Sequence, residues 1–213
     1  MKCILLLTKL TIFLLAISFL AACASKSDKS KIKNQLNTSS KTISVSSNQK
    51  TTNVTDADKD KYKEALVHLQ SGELMKAEKL LKEISAKYPR MGGPYINLGI
   101  IAMKEGRWQE GENLLISAKS LNPNNPEVFN YLGVIYRHQG KFNEAKNVYL
   151  LAIEQDKDFS SAYLNLGILF DLYLSDYVMA KKYYQQYQAM DPDNETVKTW
   201  LIDLDQRIQA SNR

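Results

Sequence analysis

Cysteine and histidine are nearly absent from this 213-residue chain, with two of each. Two thiols exclude a disulfide framework and a Cys-rich zinc site. Two imidazoles leave no room for a multi-histidine metal centre, and neither metal nor any other cofactor is expected. Five Pro and nine Gly exclude collagen-like and Gly-rich chains. There is no HExxH, no phosphate loop, no GxSxG and no Gly-rich nucleotide turn. His68 is expected on the packing side of a helix and His138 facing solvent or a groove. Neither has a Ser or Cys arranged beside it as a nucleophile with its base. The carboxylates are scattered over helix faces, as solvated surface charge is. The expectation is a protein that is not an enzyme.

Long apolar runs are lacking too. Residues 10–20, LTIFLLAISFL, form an eleven-residue run that Lys9 cuts short. A membrane-spanning helix needs about 20 apolar residues. A charged start, a short apolar run and small residues after it describe a secretory signal peptide over residues 1–22. The run ends Leu20, Ala21, Ala22, Cys23. This resembles the bacterial lipoprotein box. The resemblance implies that Cys23 is acylated and that the leader, with Cys3, is cut away. The membrane is then reached through acylated Cys23, and dual acylation gives stable anchoring where one chain would not. Ala24 stands where an Asp would imply inner-membrane retention, so the resemblance implies the periplasmic face of the outer membrane, with the inner membrane and the cell surface as alternatives.

Charge is unevenly spread. The formal net charge is +5, but residues 24–55 alone hold six Lys and one acid, Asp28, while residues 56–213 hold 20 basic and 22 acidic side chains. The basic excess lies in a leader and a polar stretch, not on a folded face. A nucleic-acid partner is therefore excluded. The same stretch carries eight Ser, five Thr and four Asn and no aromatic residue. Such a composition buries too little apolar surface to offset ordering entropy. Residues 23–57 are expected to be the lipidated Cys and a disordered tether, spanning roughly 30 Å as a flexible coil.

From residue 58 the chain repeats. Gly99, Gly133 and Gly167 are spaced by 34 residues, as are Pro89 and Pro123, and Ala77 and Ala145 lie two periods apart. Ala180 and Pro192 fit if one residue is inserted near Leu174–Ser175. The units are then 58–91, 92–125, 126–159 and 160–194. The third unit reads Phe129, Leu132, Gly133, Tyr136, Gly140, Ala145, Tyr149 and Ala152. The fourth reads Tyr163, Leu166, Gly167, Phe170, Ala180, Tyr184 and Pro192. The second reads Tyr95, Leu98, Gly99, Ala102, Gly106, Trp108, Leu115, Ala118 and Pro123. The first keeps Gly72, Ala77, Leu81 and Pro89 but has Glu64 and Ala65 in place of Leu-Gly. Gly111 replaces Ala in the second unit, and Lys157 replaces Pro in the third. These places resemble the tetratricopeptide-repeat family over about 137 residues. Each unit also shows two amphipathic segments with small residues where antiparallel helices need close approach. The expected fold is all-α: a right-handed solenoid of four helix-turn-helix units. Residues 195–213 add a capping helix and tail. Val197, Trp200, Leu201, Leu204 and Ile208 line one side of that helix. Lys198, Asp203, Asp205 and Arg207 line the other.

The family resemblance implies a concave groove lined by the first helix of each unit. The matching places are Tyr62, Leu66 and Leu69; Ile96, Asn97, Ile100 and Met103; Asn130, Val134, Arg137 and His138; and Leu164, Asn165, Ile168 and Asp171. Such a lining suits an amphipathic helix or an extended apolar peptide, although each apolar residue could equally be core. Asn97 matches one place of the carboxylate clamp that some relatives use. Glu127 and Tyr131 stand where its cations would be, so that clamp is not expected. The implied role is a membrane-anchored periplasmic adaptor that binds a protein or peptide partner. The resemblance extends to small lipoproteins that assist assembly of type IV pilus secretins and to lipoproteins that scaffold cell-wall hydrolases. An accessory of an energised envelope transporter is a further alternative. Fold alone does not choose between them.

Overall fold

The computed structural model describes residues 54–211. Cys23, the leader and all but the last residues of the expected tether lie outside them. The described residues are all-α, as expected. Helices α1 (Asp56–Gln70) and α2 (Leu74–Lys87) form the first unit, α3 (Gly92–Lys104) and α4 (Trp108–Leu121) the second, and α5 (Pro126–His138) and α6 (Phe142–Gln155) the third. Helix α7 (Ser160–Ile168) continues into a π-turn, Leu169–Tyr173, and pairs with α8 (Tyr177–Met190). Helix α9 spans Glu195–Ser211. The helix starts at 92, 126, 160 and 195 coincide with the expected unit boundaries. The first unit begins earlier than expected: Asp56 and Ala57 are helical, not tether. Thr55 caps α1 by accepting the Asp58 N–H at 3.2 Å, which satisfies one of the orphan donors of a helix start.

Within each unit the two helices turn at one residue in the left-handed region. Gly72, Gly106 and Gly140 hold φ of 80°, 76° and 75°, and the fourth unit places Ser175 there with φ 54°. Gly72, Gly106 and Gly140 keep the 34-residue period, whereas Ser175 follows at 35. The extra residue is taken up before the turn, in the π-turn Leu169–Tyr173, where the Leu174 N–H donates to the Leu169 carbonyl at 3.1 Å. A single π-turn is the usual way a helix absorbs one residue. The insertion therefore lies a few residues earlier than the expected Leu174–Ser175.

Helix pairs close on a small residue facing a larger one. A Cβ on Gly133 would stand 2.3 Å from the Tyr149 ring, and one on Gly167 would stand 2.2 Å from the Tyr184 ring. At Gly99 the opposing atom is Leu115 Cγ at 3.0 Å. In the first unit the same places hold Ala65 and Leu81, both fully buried in one cluster with Ala77, Leu98 and Ile101. Larger partners thus require the smaller residue, a packing constraint that one methyl group can break.

The first unit departs from the repeat for a reason visible in the packing. Pro94, Val128 and Ala162 are buried at one place, Leu98, Leu132 and Leu166 at a second, and Ile101, Ile135 and Leu169 at a third. All three places pack an A helix onto its neighbours. In α1 they hold Asp60, Glu64 and Val67, which are exposed. A terminal repeat needs a polar outer face, and Glu64 provides it. Continuing the series by 35 residues from the fourth unit gives Val197, Leu201 and Leu204, which are buried. Helix α9 therefore occupies the first-helix place of a fifth unit and covers the fourth, as expected of a cap. At its Gly place stands Ile202, 63% exposed.

Charged pairs tie neighbouring units. Arg107 in the second unit reaches Glu78 of the first at 3.0 Å and also pairs with Glu105 and Glu110. The buried Asp58 carboxylate accepts from Lys87 Nζ at 2.6 Å and Tyr88 Oη at 2.7 Å, and Thr55 Oγ1 donates to it as well. The Lys87 contact leads these in holding the Asp58 pKa well below the usual carboxylate range. Two expectations are corrected. His68 is not a core residue: it is only partly buried, and its Nδ1 meets Glu73 across the turn with Glu64 nearby at 3.7 Å. A polar anchor of the α1–α2 turn stands where a packed core residue was expected. Arg207 does not lie on a solvated face. Its Nη1 donates to the buried Asp171 at 2.8 Å, and its guanidinium lies 4.7 Å from the centre of the Tyr177 ring.

Candidate functional site

Helices α1, α3, α5 and α7 stand side by side and line one face. The structure divides the expected groove residues into three groups. Leu66, Leu69, Ile100, Met103, Val134, Leu164 and Ile168 are only partly covered by the packing of the units. They form an apolar strip across the four helices. Ile96 is a correction to the groove reading: it is 7% exposed and belongs to the core with Leu115, Ala118, Val128, Leu132 and Ile135. Its side chain packs into the next unit because the second and third units close on each other there. Asp171 is likewise buried, as the partner of Arg207 and of Tyr184 Oη, which donates at 3.4 Å.

The amides and Tyr62 form the second group, and they serve the junctions between units. Asn97 Nδ2 donates to Tyr62 Oη and to the Gly93 carbonyl, both at 2.9 Å. Asn165 Nδ2 donates to Asn130 Oδ1 at 2.9 Å. Asn130 is buried. A buried amide needs such a partner, since leaving it unpaired costs about 1–3 kcal/mol. Burial, then the Glu127 charge, push the Tyr62 phenol up to about 12.

Arg137 and His138 form the third group, at the end of α5. His138 is exposed and stacks on Trp108 of the second unit, with ring centres 3.7 Å apart and planes 16° from parallel. Arg137 lies over the Tyr173 ring at 5.7 Å, and its Nη1 is buried without an acceptor. Asn97, the one place that matches the carboxylate clamp, is committed to Tyr62 and Gly93, and Glu127 is a shielded carboxylate whose pKa burial raises. The tyrosine cluster of α8 is structural. Tyr183 stacks on Phe170 at 5.5 Å, Tyr184 packs against Gly167 and Trp200, and Tyr187 Oη donates to Asp191 at 2.8 Å. Among the described residues no group of His, Cys, Asp and Glu is placed to hold a metal ion. Among the same residues no helix is long and apolar enough to cross a membrane.

The sequence model of the tetratricopeptide repeat matches residues 133–171, the span from Gly133 to the π-turn. Residues 133–171 thus carry a tetratricopeptide repeat, and the described residues have the tetratricopeptide-repeat fold. The structure of PilF from Pseudomonas aeruginosa is similar, with a TM-score of 0.67 and 21% identity over 73% of this chain and 70% of that one. MamA from Desulfovibrio magneticus RS-1 gives 0.62 and 18% identity over 73% of this chain and 88% of that one. The first repeat domain of Spaghetti (RPAP3), solved with an HSP90 peptide, gives 0.52 and 21% identity over 55% of this chain and 93% of that one. These likenesses share the helix-pair solenoid. No curated protein matches the chain.

Sequence reasoning missed two features of the tetratricopeptide face. Glu127 was read only as the lack of a clamp cation, and Asp171 only as a lining residue. A carboxylate where the neighbouring positions are Asn125, Pro126 and Val128 gives no periodic signal. The 36-residue separation of Asp171 and Arg207 falls outside the repeat period altogether.

Proposed function

We propose that this protein is a membrane-anchored periplasmic adaptor that holds a partner protein or peptide on the inner face of its solenoid. The apolar strip of Leu66, Ile100, Met103, Val134, Leu164 and Ile168 carries this reading, because the solenoid leaves it only partly covered. Apolar side chains laid across several helices suit an amphipathic helix or an extended peptide. Acylated Cys23 fixes the protein at the outer membrane, and the polar stretch after it gives the solenoid reach. The pathway proposed is assembly of an envelope complex such as a type IV pilus secretin. The likeness to PilF supports that choice.

The test is in-cell crosslinking of the full-length protein, read by mass spectrometry, beside Cys23→Ala and Ile100→Glu/Ile168→Glu. The expected outcome is one dominant envelope partner. Cys23→Ala moves the protein out of the membrane fraction. Ile100→Glu/Ile168→Glu loses the partner while the helical circular dichroism stays. Capture that persists in the folded double variant would show that the inner face is the wrong surface. Stable secretin multimers in a deletion strain would refute the pilus pathway.

A further inference from the structure

Most shielded charges among the described residues are matched. Asp58 has Lys87, Asp171 has Arg207, and Arg107 has three carboxylates. Two on the inner face are not, and both stand on α5. Among the described residues Glu127 has no ion pair, and no side chain donates to its carboxylate; burial raises its pKa. It faces the Tyr62–Asn97 junction, where its charge acts on the Tyr62 phenol. Among the same residues Arg137 has no carboxylate within ion-pair distance, and its Nη1 is buried without an acceptor. Beside it Tyr149 Oη is also buried without a partner, in a residue that is fully buried. Asp171, the nearby carboxylate, is already held by Arg207 and Tyr184.

Glu127 and Arg137 cannot neutralise each other. Ten residues of α-helix separate them by about 15 Å. A shielded charge without a counter-charge is costly in a folded protein. Two of opposite sign, at either end of one groove helix with Val134 between them, form a pattern that a ligand can complete.

We propose that the groove receives a partner segment that brings a Lys or Arg to Glu127 and a carboxylate to Arg137, with apolar side chains between. This rests on the inner-face reading above. The charges set the direction in which the segment lies. The required separation of about 15 Å corresponds to ten residues of a helix or to about five of an extended strand. Completing both pairs converts two unmatched groups into charge-assisted contacts, which are stronger than neutral ones.

The test uses the purified full chain and fluorescein-labelled peptides with blocked ends. Each has a Leu/Ala background with one Lys and one Glu, five or ten residues apart. Counterparts carry Gln at both places. At one spacing the charged peptide is expected to bind about tenfold more tightly than its Gln counterpart, as one good charged contact gives. Glu127→Gln abolishes the advantage of the peptide Lys alone. Arg137→Met, which keeps the aliphatic stem, abolishes the advantage of the peptide Glu alone. Both variants retain the thermal midpoint to within about 2 °C or raise it.

Equal binding of charged and neutral peptides, lost in Ile100→Glu/Ile168→Glu, would leave the groove standing and overturn the charge pairing. Absence of binding, together with partner capture that ignores the same double variant, would overturn the groove and the pairing with it. A midpoint lowered by several degrees in Glu127→Gln or Arg137→Met would show that these charges serve the fold instead.

Discussion

Gly167→Ala adds one methyl group, and the structure states what it meets. The new Cβ would lie 2.2 Å from Tyr184 Cδ1 and 2.3 Å from Cε1. The ring has nowhere to go. Tyr184 is 1% exposed, packs on Trp200 at 5.3 Å and donates to Asp171. Forcing such a contact costs about 1–3 kcal/mol or more through shifted rotamers and backbone. Against this, Gly→Ala inside a helix gains about 1 kcal/mol. The net expectation is a loss of about 2 kcal/mol, or roughly 4–8 °C in the thermal midpoint of a domain this size. Gly99→Ala is the control. Its Cβ would meet Leu115 Cγ at 3.0 Å and Cδ2 at 3.2 Å, a contact that a shift of a few tenths of an ångström relieves, so the helix gain nearly offsets it.

The chain itself supplies the compensating change, because the first unit carries Ala65 with Leu81 at these same places. Gly167→Ala with Tyr184→Leu should therefore be more stable than the two single costs predict, by about 1–3 kcal/mol of coupling between touching residues. Urea and thermal melts followed by circular dichroism at 222 nm measure all four corners of the cycle. Strict additivity, or a Gly167→Ala as mild as Gly99→Ala, would refute the small-against-large packing rule.

Three other outcomes follow from the same geometry. Ser175→Gly should stabilise the fold by about 0.5–1 kcal/mol, because the native φ of 54° is costly for a residue with a Cβ and free for Gly; a lowered midpoint would sink this. Arg207→Ala leaves the buried Asp171 without its cation and should cost roughly 2–3 kcal/mol, read as early hydrogen exchange in α8 and α9 before the other helices. Uniform loss of protection along the chain would contradict it. The folded Asp58 carboxylate has a lowered pKa, so its contribution is full above the unfolded carboxylate value of about 4 and is lost as pH falls below it. The midpoint difference between the native chain and Asp58→Asn should then shrink on acidification, and a difference that stays constant from neutral pH to pH 3 would contradict the assignment.

Gly99, Gly133 and Gly167 recur every 34 residues because the same helix contact recurs in each unit. What the spacing could not show is how one unit differs from the next. Ile96 and Leu164 both stand on first helices, yet Ile96 is buried against the third unit while Leu164 remains partly open. The difference lies in how closely particular units pack. Asn97 and Asn165 read as ligand-facing amides, but their donors reach across the unit junctions. A single sequence shows the amide and not its partner. The π-turn follows from counting, but its position before Ser175 depends on which helix yields, and Asp171 reaches Arg207 only once that helix has yielded.

The two departures at the outer helices bear on how this solenoid can meet a partner. Helix α1 puts Asp60 and Glu64 where the inner units bury Pro94, Val128, Ala162 and Leu98, Leu132, Leu166. Stacking another helix pair there would bury two carboxylates without counter-charges, which is costly. Helix α9 puts Ile202 where each inner unit has Gly. The side chain keeps a second helix from approaching as α8 approaches Gly167. Both ends of the repeat array thus resist extension by a further helix pair, and they do so with opposite means, charge at one and bulk at the other. Exposed apolar side chains elsewhere, such as Ile116 and Leu150, are ordinary for a protein surface. The strip from Leu66 to Ile168 differs because it runs across four helices and is flanked by the unmatched Glu127 and Arg137. The proposed partner lies along that strip, and end-to-end stacking of solenoids is disfavoured by the residues that close them.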